Sequence, residues 1–244
     1  MEDFNFWAPT PRELKLAEGE IHLWRAHLDC CDAVFREFQS TLAVDERARA
    51  DRYFFPVDRT RFVITRGVLR ELLSRYLGCA PREIQFEYTL LGKPFLRSEF
   101  VHQPIRFNVS HSHGLALFAF GLGRDLGVDV ELVRSDFGGE EIAERYFATE
   151  EVKELRALPI SLRAEGFFLC WTRKEAYIKA RGAGLQIPLD SFYVSLTPGQ
   201  PERLRSEDSN RWSLRSFKPD QGYVAALVGE GHGWSLRRWE WSFS

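Results

Sequence analysis

Long apolar runs, paired cysteines and an excess of either charge are all missing from this chain of 244 residues. No apolar run approaches the roughly 18 residues a helical membrane span requires, so no membrane span is expected. The chain opens Met1-Glu2-Asp3-Phe4, without the basic-then-apolar start of a secretory leader. Its four cysteines, Cys30, Cys31, Cys79 and Cys170, form no C-x-x-C pair, and Cys170 falls in an apolar helical segment. Reduced thiols in a cytoplasmic protein are the expectation. A formal net charge of −2 supplies no global field to draw nucleic acid or an anionic membrane. A dinucleotide fingerprint is absent too. Arg181-Gly182-Ala183-Gly184-Leu185 follows a helix, lacks the third glycine and reads as a helix stop. Ser110-His111-Ser112-His113 has no acidic partner at a useful spacing, which argues against a Ser-His-Asp triad.

What is present is globular: 44% hydrophobic and 14% aromatic residues, enough for a sizeable core. Alternation predicts a strand over Ile21–Leu28. Asp45–Tyr53 reads as a charged helix and Arg59–Tyr76 as a longer one, with Phe62, Val63, Leu69, Leu72, Leu73 and Tyr76 towards the core. Leu91-Gly92-Lys93-Pro94 is a turn signal. Phe107–Ser110 reads as a strand, Ser110–Gly114 as a polar loop, Leu115–Phe120 as a buried strand and Gly121–Asp125 as a linker. Beyond it come a strand over Leu126–Val133 and helices over Ile142–Phe147, Glu150–Leu158 and Phe167–Lys179. Strands follow near Phe192–Leu196, Trp212–Phe217, Tyr223–Val228 and Trp234–Trp241, the middle pair joined by a Pro219-Asp220-Gln221-Gly222 turn. The expectation is an α+β fold of two pseudo-symmetric halves, residues 1–122 and 123–244, with the active site at their junction.

One acidic residue stands where an apolar one belongs. On a helical period Phe167, Phe168, Trp171 and Ile178 share a face; Glu175 falls in its middle, with Lys179 and Lys174 at its edges. A surface i,i+4 salt bridge accounts for Lys179 but not for a carboxylate among aromatic residues. The strand Leu126-Gly127-Val128-Asp129-Val130-Glu131-Leu132 holds the second anomaly. A period of two puts Asp129 and Glu131 on one face and Val128, Val130 and Leu132 on the other. Asp129, Glu131 and Glu175 converging would make an oxygen-rich site for a hard divalent ion such as Mg2+. Ser110 and His111 could meet a phosphate through O–H and N–H donors. Lys93, and one or two of the arginines between Arg47 and Arg66, could clamp another; a solvated face is the default for the rest.

In order and spacing, Phe107-Asn108-Val109-Ser110-His111-Ser112, Gly127-Val128-Asp129-Val130-Glu131 and Trp171-Thr172-Arg173-Lys174-Glu175-Ala176-Tyr177-Ile178-Lys179 resemble the 4′-phosphopantetheinyl transferases, most nearly the surfactin-synthetase-activating type. Gly92-Lys93-Pro94 and Arg145-Tyr146-Phe147 match weaker motifs of that family. The resemblance implies coenzyme A as substrate and an apo acyl, peptidyl or polyketide carrier protein as partner, in a monomeric enzyme. It implies Mg2+, with Mn2+ as alternative, on Asp129, Glu131 and Glu175. It places Arg49, Arg61, Lys93, Ser110, His111, Lys174 and Lys179 towards coenzyme A, with His111 on its 3′-phosphate. The general base is left between Glu150, Glu151, Glu175 and a metal-bound water, and Lys179 stabilises the leaving group. The residues alone leave two alternatives: a metal-dependent nuclease, which the net charge disfavours, and a catalytically silent carrier-protein binder, which the intact carboxylate trio disfavours.

Overall fold

The structure, a computed structural model, describes residues 6–90, 92–97, 104–136, 138–182 and 187–243. Leu91 of the expected turn and Ala183, Gly184 and Leu185 of the expected helix stop lie outside them. The strands are β1 (Ala8–Pro9), β2 (Glu20–His27), β3 (Phe86–Tyr88), β4 (Pro94–Leu96), β5 (Ile105–Ser112), β6 (Leu115–Leu122), β7 (Leu126–Leu132), β8 (Tyr193–Val194), β9 (Leu204–Arg205), β10 (Trp212–Phe217), β11 (Tyr223–Glu230) and β12 (Ser235–Trp241). The helices are α1 (Asp32–Thr41), α2 (Val44–Ala50), α3 (Pro56–Leu77), α4 (Glu140–Tyr146), α5 (Thr149–Ala157) and α6 (Ile160–Arg181). None of them is long and apolar enough to cross a membrane, among the described residues.

Two sheets carry the fold. One has the order β1-β12-β2-β6-β5, the other β10-β11-β7. Strand periodicity decides what each face covers. In the larger sheet Trp24, Phe118 and Phe120 pack with Leu69, Leu72 and Leu73 of α3. The intervening Ile21, Leu23, Leu117 and Ala119 meet Val128, Val130 and Leu227 of the smaller sheet. Val224, Ala226 and Val228 on the far side of β11 pack under α6. The layers therefore run helix, sheet, sheet, helix. The last strand, β12, returns to the larger sheet, parallel to β2 and between it and β1.

Helix boundaries follow local chemistry. Pro56 opens α3, where its missing N–H is harmless, and Gly78 closes it with φ 69°. Gly182, φ 68°, closes α6 as the stop signal predicts. α6 begins at Ile160, seven residues before the expected start at Phe167. Gly127 lets α6 lie directly on β7: a Cβ there would stand 2.1 Å from the Ala176 carbonyl oxygen and 2.4 Å from the Ala180 nitrogen. The expected polar loop at Ser110–Gly114 is mostly strand. β5 runs through Ser112, leaving His113 and Gly114 as a two-residue turn. His113 takes φ 52°, the positive value that the mirror-type hairpin turns require at their first central position.

Candidate functional site

Asp129 sits at the meeting of β5, β7 and α6, only 4% exposed. Its Oδ1 accepts from the Lys179 ammonium at 2.6 Å and from the Ser110 hydroxyl at 2.7 Å. Its Oδ2 is buried and has no hydrogen-bond partner. Lys179 also donates to Ser110 Oγ at 3.0 Å and to the Val128 carbonyl at 3.3 Å. The helical i,i+4 spacing suggested a Lys179–Glu175 bridge; the ammonium goes to Asp129 instead.

Glu131 projects from the same face of β7 and accepts from the Ser112 hydroxyl at 2.7 Å. Burial pushes its carboxyl above the ordinary value, and the Asp129 charge adds to the rise. Glu175 on α6 is raised in the same way, first by burial and then by Asp129, with Lys179 opposing. The two glutamates thus feel one common charge, that of Asp129. Among the described residues, no three His, Cys, Asp or Glu side chains stand close enough to ligate one ion as they are. Like charges repel, and the one ammonium among them is already spent on Asp129. The donor set nevertheless fits a hard divalent cation: all-oxygen ligands, and a buried carboxylate oxygen without a partner.

Strand alternation places His111 on the opposite side of β5 from Ser110, towards the start of α3. Its edge is open to solvent, yet crowding lowers its pKa, with the charges of Lys179 and Arg61 adding to the fall. Arg61 Nε is buried without a hydrogen-bond partner, beside His111 and His113. Lys93 reaches from the β3–β4 hairpin to the Lys179 carbonyl at 2.5 Å and the Leu126 carbonyl at 3.4 Å. Burial lowers its pKa to about 8. A cavity of about 280 Å³ opens beside it, lined by Phe95, Arg106, Asp125 and Arg181 among others, but by none of the three carboxylates. Arg49 is exposed on α2, its guanidinium over the Phe62 ring. Of its arginine neighbours, Arg66 is not a solvated side chain: with Arg70 it clamps the buried Glu46, tying α2 to α3.

Two expected site residues are placed elsewhere. Lys174 and Glu151 are fully buried and joined at 2.8 Å. Lys174 also donates to the carbonyls of Leu189 and Phe192, both at 2.7 Å, so its three N–H groups are spoken for and none is left for a phosphate. Glu151 further accepts from the Ala148 and Val194 backbone N–H groups. A charge pair saturated in this way fastens α5 and the 188–194 segment to α6. Glu150 is exposed and paired with Arg205 at 2.6 Å. Sequence reasoning passed over Asn108 and Ser112 as individual residues. Their signal was alternation along β5, which puts Asn108, Ser110 and Ser112 on one side.

Two family profiles match the chain. One, described as the 4′-phosphopantetheinyl transferase superfamily, covers residues 125–228; the other, 4′-phosphopantetheinyl transferase, N-terminal, covers residues 26–120. The chain is 40% identical over 235 residues to 4′-phosphopantetheinyl transferase HetI of Nostoc sp. strain PCC 7120, spanning 96% of this chain and 98% of that one. It is 28% identical to 4′-phosphopantetheinyl transferase Sfp of Bacillus subtilis, over 78% and 83% of the two chains. The L-aminoadipate-semialdehyde dehydrogenase-phosphopantetheinyl transferase of Schizosaccharomyces pombe is 31% identical over 80% and 76%.

Proposed function

This chain belongs to the 4′-phosphopantetheinyl transferases, enzymes that move the phosphopantetheine arm of coenzyme A onto carrier proteins, and from that premise we propose how its own residues perform the transfer. The observation that carries the reading is the junction of β5, β7 and α6. There Asp129 holds one oxygen on Lys179 and Ser110 and leaves the other buried without a partner, with Glu131 and Glu175 in its field. Asp129, Glu131 and Glu175 would hold Mg2+, or Mn2+ in its place. When bound, it would neutralise pyrophosphate charge and act as a Lewis acid.

The carrier serine hydroxyl attacks the β-phosphorus of coenzyme A. The anhydride P–O bond breaks, and its electron pair leaves on the α-phosphate of 3′,5′-ADP. Glu175 takes the serine proton. The other carboxylates near this helix are engaged elsewhere, Glu150 with Arg205 and Glu151 with Lys174. Lys179, part-exposed where Lys174 is sealed in, offsets the charge gathering on the leaving phosphate by exchanging its long contact to the Val128 carbonyl for a phosphate oxygen. His111 and Arg61 receive the 3′-phosphate, Arg61 with an Nε that has no other partner. Lys93 positions Lys179 through its carbonyl, and Arg49 lies at the coenzyme's outer margin. Positioning and charge stabilisation suffice for such a transfer without a covalent enzyme intermediate.

The reading extends to a monomeric, cytoplasmic enzyme of the surfactin-synthetase-activating type, built as halves 1–122 and 123–244. Incubation with coenzyme A, Mg2+ and a panel of apo acyl and peptidyl carrier proteins tests it. Carriers should gain one phosphopantetheine each and release one 3′,5′-ADP, and both carrier classes should be modified. Absence of both products on every carrier would overturn the function; modification of acyl carriers alone would overturn the subtype.

A further inference from the structure

The two sheets meet edge to edge as well as face to face. β5 and β7 run side by side in the same direction but share no backbone ladder. Such an edge leaves N–H groups that must find partners. Side chains of alternate β5 residues supply them. Asn108 Oδ1 accepts from the Val128 N–H at 2.8 Å, and Ser112 Oγ accepts from the Leu132 N–H at 3.3 Å. Between them Ser110 donates to Asp129. Asn108, Ser110 and Ser112 are all buried.

The Ser112 hydroxyl has a single proton and gives it to Glu131 Oε2 at 2.7 Å. It therefore accepts from the Leu132 N–H and, at 3.1 Å, from His113 Nδ1, which must carry a proton. His113 is the non-glycine residue with positive φ among the described residues, and the strained turn it forms holds Ser112 at the end of the seam.

We propose that Ser112 is a positioning residue of the transferase: its hydroxyl locks Glu131 to the end of β7 in the orientation needed to share a divalent cation with Asp129, while Asn108 fixes the register of β7 against β5. This rests on the reading of Asp129, Glu131 and Glu175 as cation ligands. Removing the hydroxyl frees the Glu131 carboxylate to rotate and leaves the Leu132 N–H unpaired. Partners that orient ligating carboxylates typically change metal affinity by about 10–100-fold when removed.

The test is Mn2+ binding by electron paramagnetic resonance, with coenzyme A present and no carrier, so no turnover is read. Ser112→Ala should weaken Mn2+ about tenfold or more, while coenzyme A affinity measured without metal stays within about twofold of wild type. Ser112→Thr, which keeps the hydroxyl, should bind Mn2+ as wild type does. Glu131→Gln should weaken Mn2+ by itself, and adding Ser112→Ala to it should change little further, because the serine acts through that carboxylate. Unchanged Mn2+ affinity in Ser112→Ala, additive losses in the double variant, or a folded Ser112→Thr as weak as Ser112→Ala would each overturn the proposal. Should Ser112→Ala fail to fold, the threonine variant alone decides. If wild type binds no Mn2+ that Asp129→Asn abolishes, the cation reading itself falls, and this inference with it.

Discussion

The two oxygens of Asp129 have different fates, one accepting from both Lys179 and Ser110, the other buried and bare. That asymmetry is what a single residue contributes to the site, and only the structure reveals it. The proximity of the three carboxylates was legible in the sequence: a period of two put Asp129 and Glu131 on one face, and the carboxylate among Phe168, Trp171 and Ile178 singled out Glu175, which feels the Asp129 charge. Lys174 was misleading for a physical reason. A lysine at the margin of an apolar face can reach out to a ligand or in to backbone carbonyls, and periodicity is identical in both cases. The carbonyls of Leu189 and Phe192 decide it. His111 gives a test at this scale. Its ring lies within the field of the Arg61 charge, so His111→Ala should weaken coenzyme A more than 3′-dephospho-coenzyme A. A charge-assisted hydrogen bond of roughly 1.5–3 kcal/mol corresponds to about ten- to a hundredfold in affinity. Isothermal titration with both ligands measures it; equal weakening would remove His111 from the 3′-phosphate.

At the scale of elements, α6 lying on β7 sets the distance between Glu175 and Asp129. Gly127 permits that approach, and its would-be Cβ meets helix backbone, which cannot rotate away. Gly127→Ala should therefore exceed the roughly 1–3 kcal/mol of ordinary overpacking and abolish transfer in whatever folds. Urea unfolding measures the first and the carrier assay the second; a variant near wild type in both would show that α6 can shift without harm. Lys93 ties the β3–β4 hairpin to the last turn of α6. Burial lowers its pKa from 10.5 to about 8, so the folded chain gives up this proton before the unfolded chain does. Between those values the unfolded state holds more protons, and the Lys93 contribution to stability grows as pH rises. Wild type should thus gain on Lys93→Met between pH 7.5 and pH 10 in chemical unfolding, and a constant difference would contradict the burial. The long helices and most strands were readable from their periods. Short α1 was not, because of its residues only Phe38 and Thr41 are buried.

For the whole molecule, the least legible feature was the return of β12 to the first sheet. Alternation identifies a strand but carries nothing about its neighbours, and β12 lies beside a strand from the opposite end of the chain. Trp239 there packs on Trp24 at 5.1 Å and edge-on to His22 at 4.5 Å between ring centres. This strand carries the C-terminal end of the chain into the larger sheet, and the side-chain seam between β5 and β7 joins that sheet to the smaller one. Trp239→Ala should cost roughly 3 kcal/mol, at the low end for a truncated core aromatic. It should lower the midpoint of a single thermal transition seen alike by near- and far-ultraviolet circular dichroism. Two separated transitions would mean that the halves unfold independently.

The central claim is that phosphopantetheine transfer runs through the charge of Asp129. Asp129→Asn keeps the shape and an oxygen for Ser110 and Lys179 while removing that charge. Intact mass spectrometry of one apo carrier protein, sampled over time with coenzyme A and Mg2+, compares it with wild type most directly. Wild type should convert the carrier to a form heavier by one phosphopantetheine, and Asp129→Asn, folded by circular dichroism, should leave it unmodified over the same period. Conversion by the asparagine variant at a rate near wild type would contradict the account.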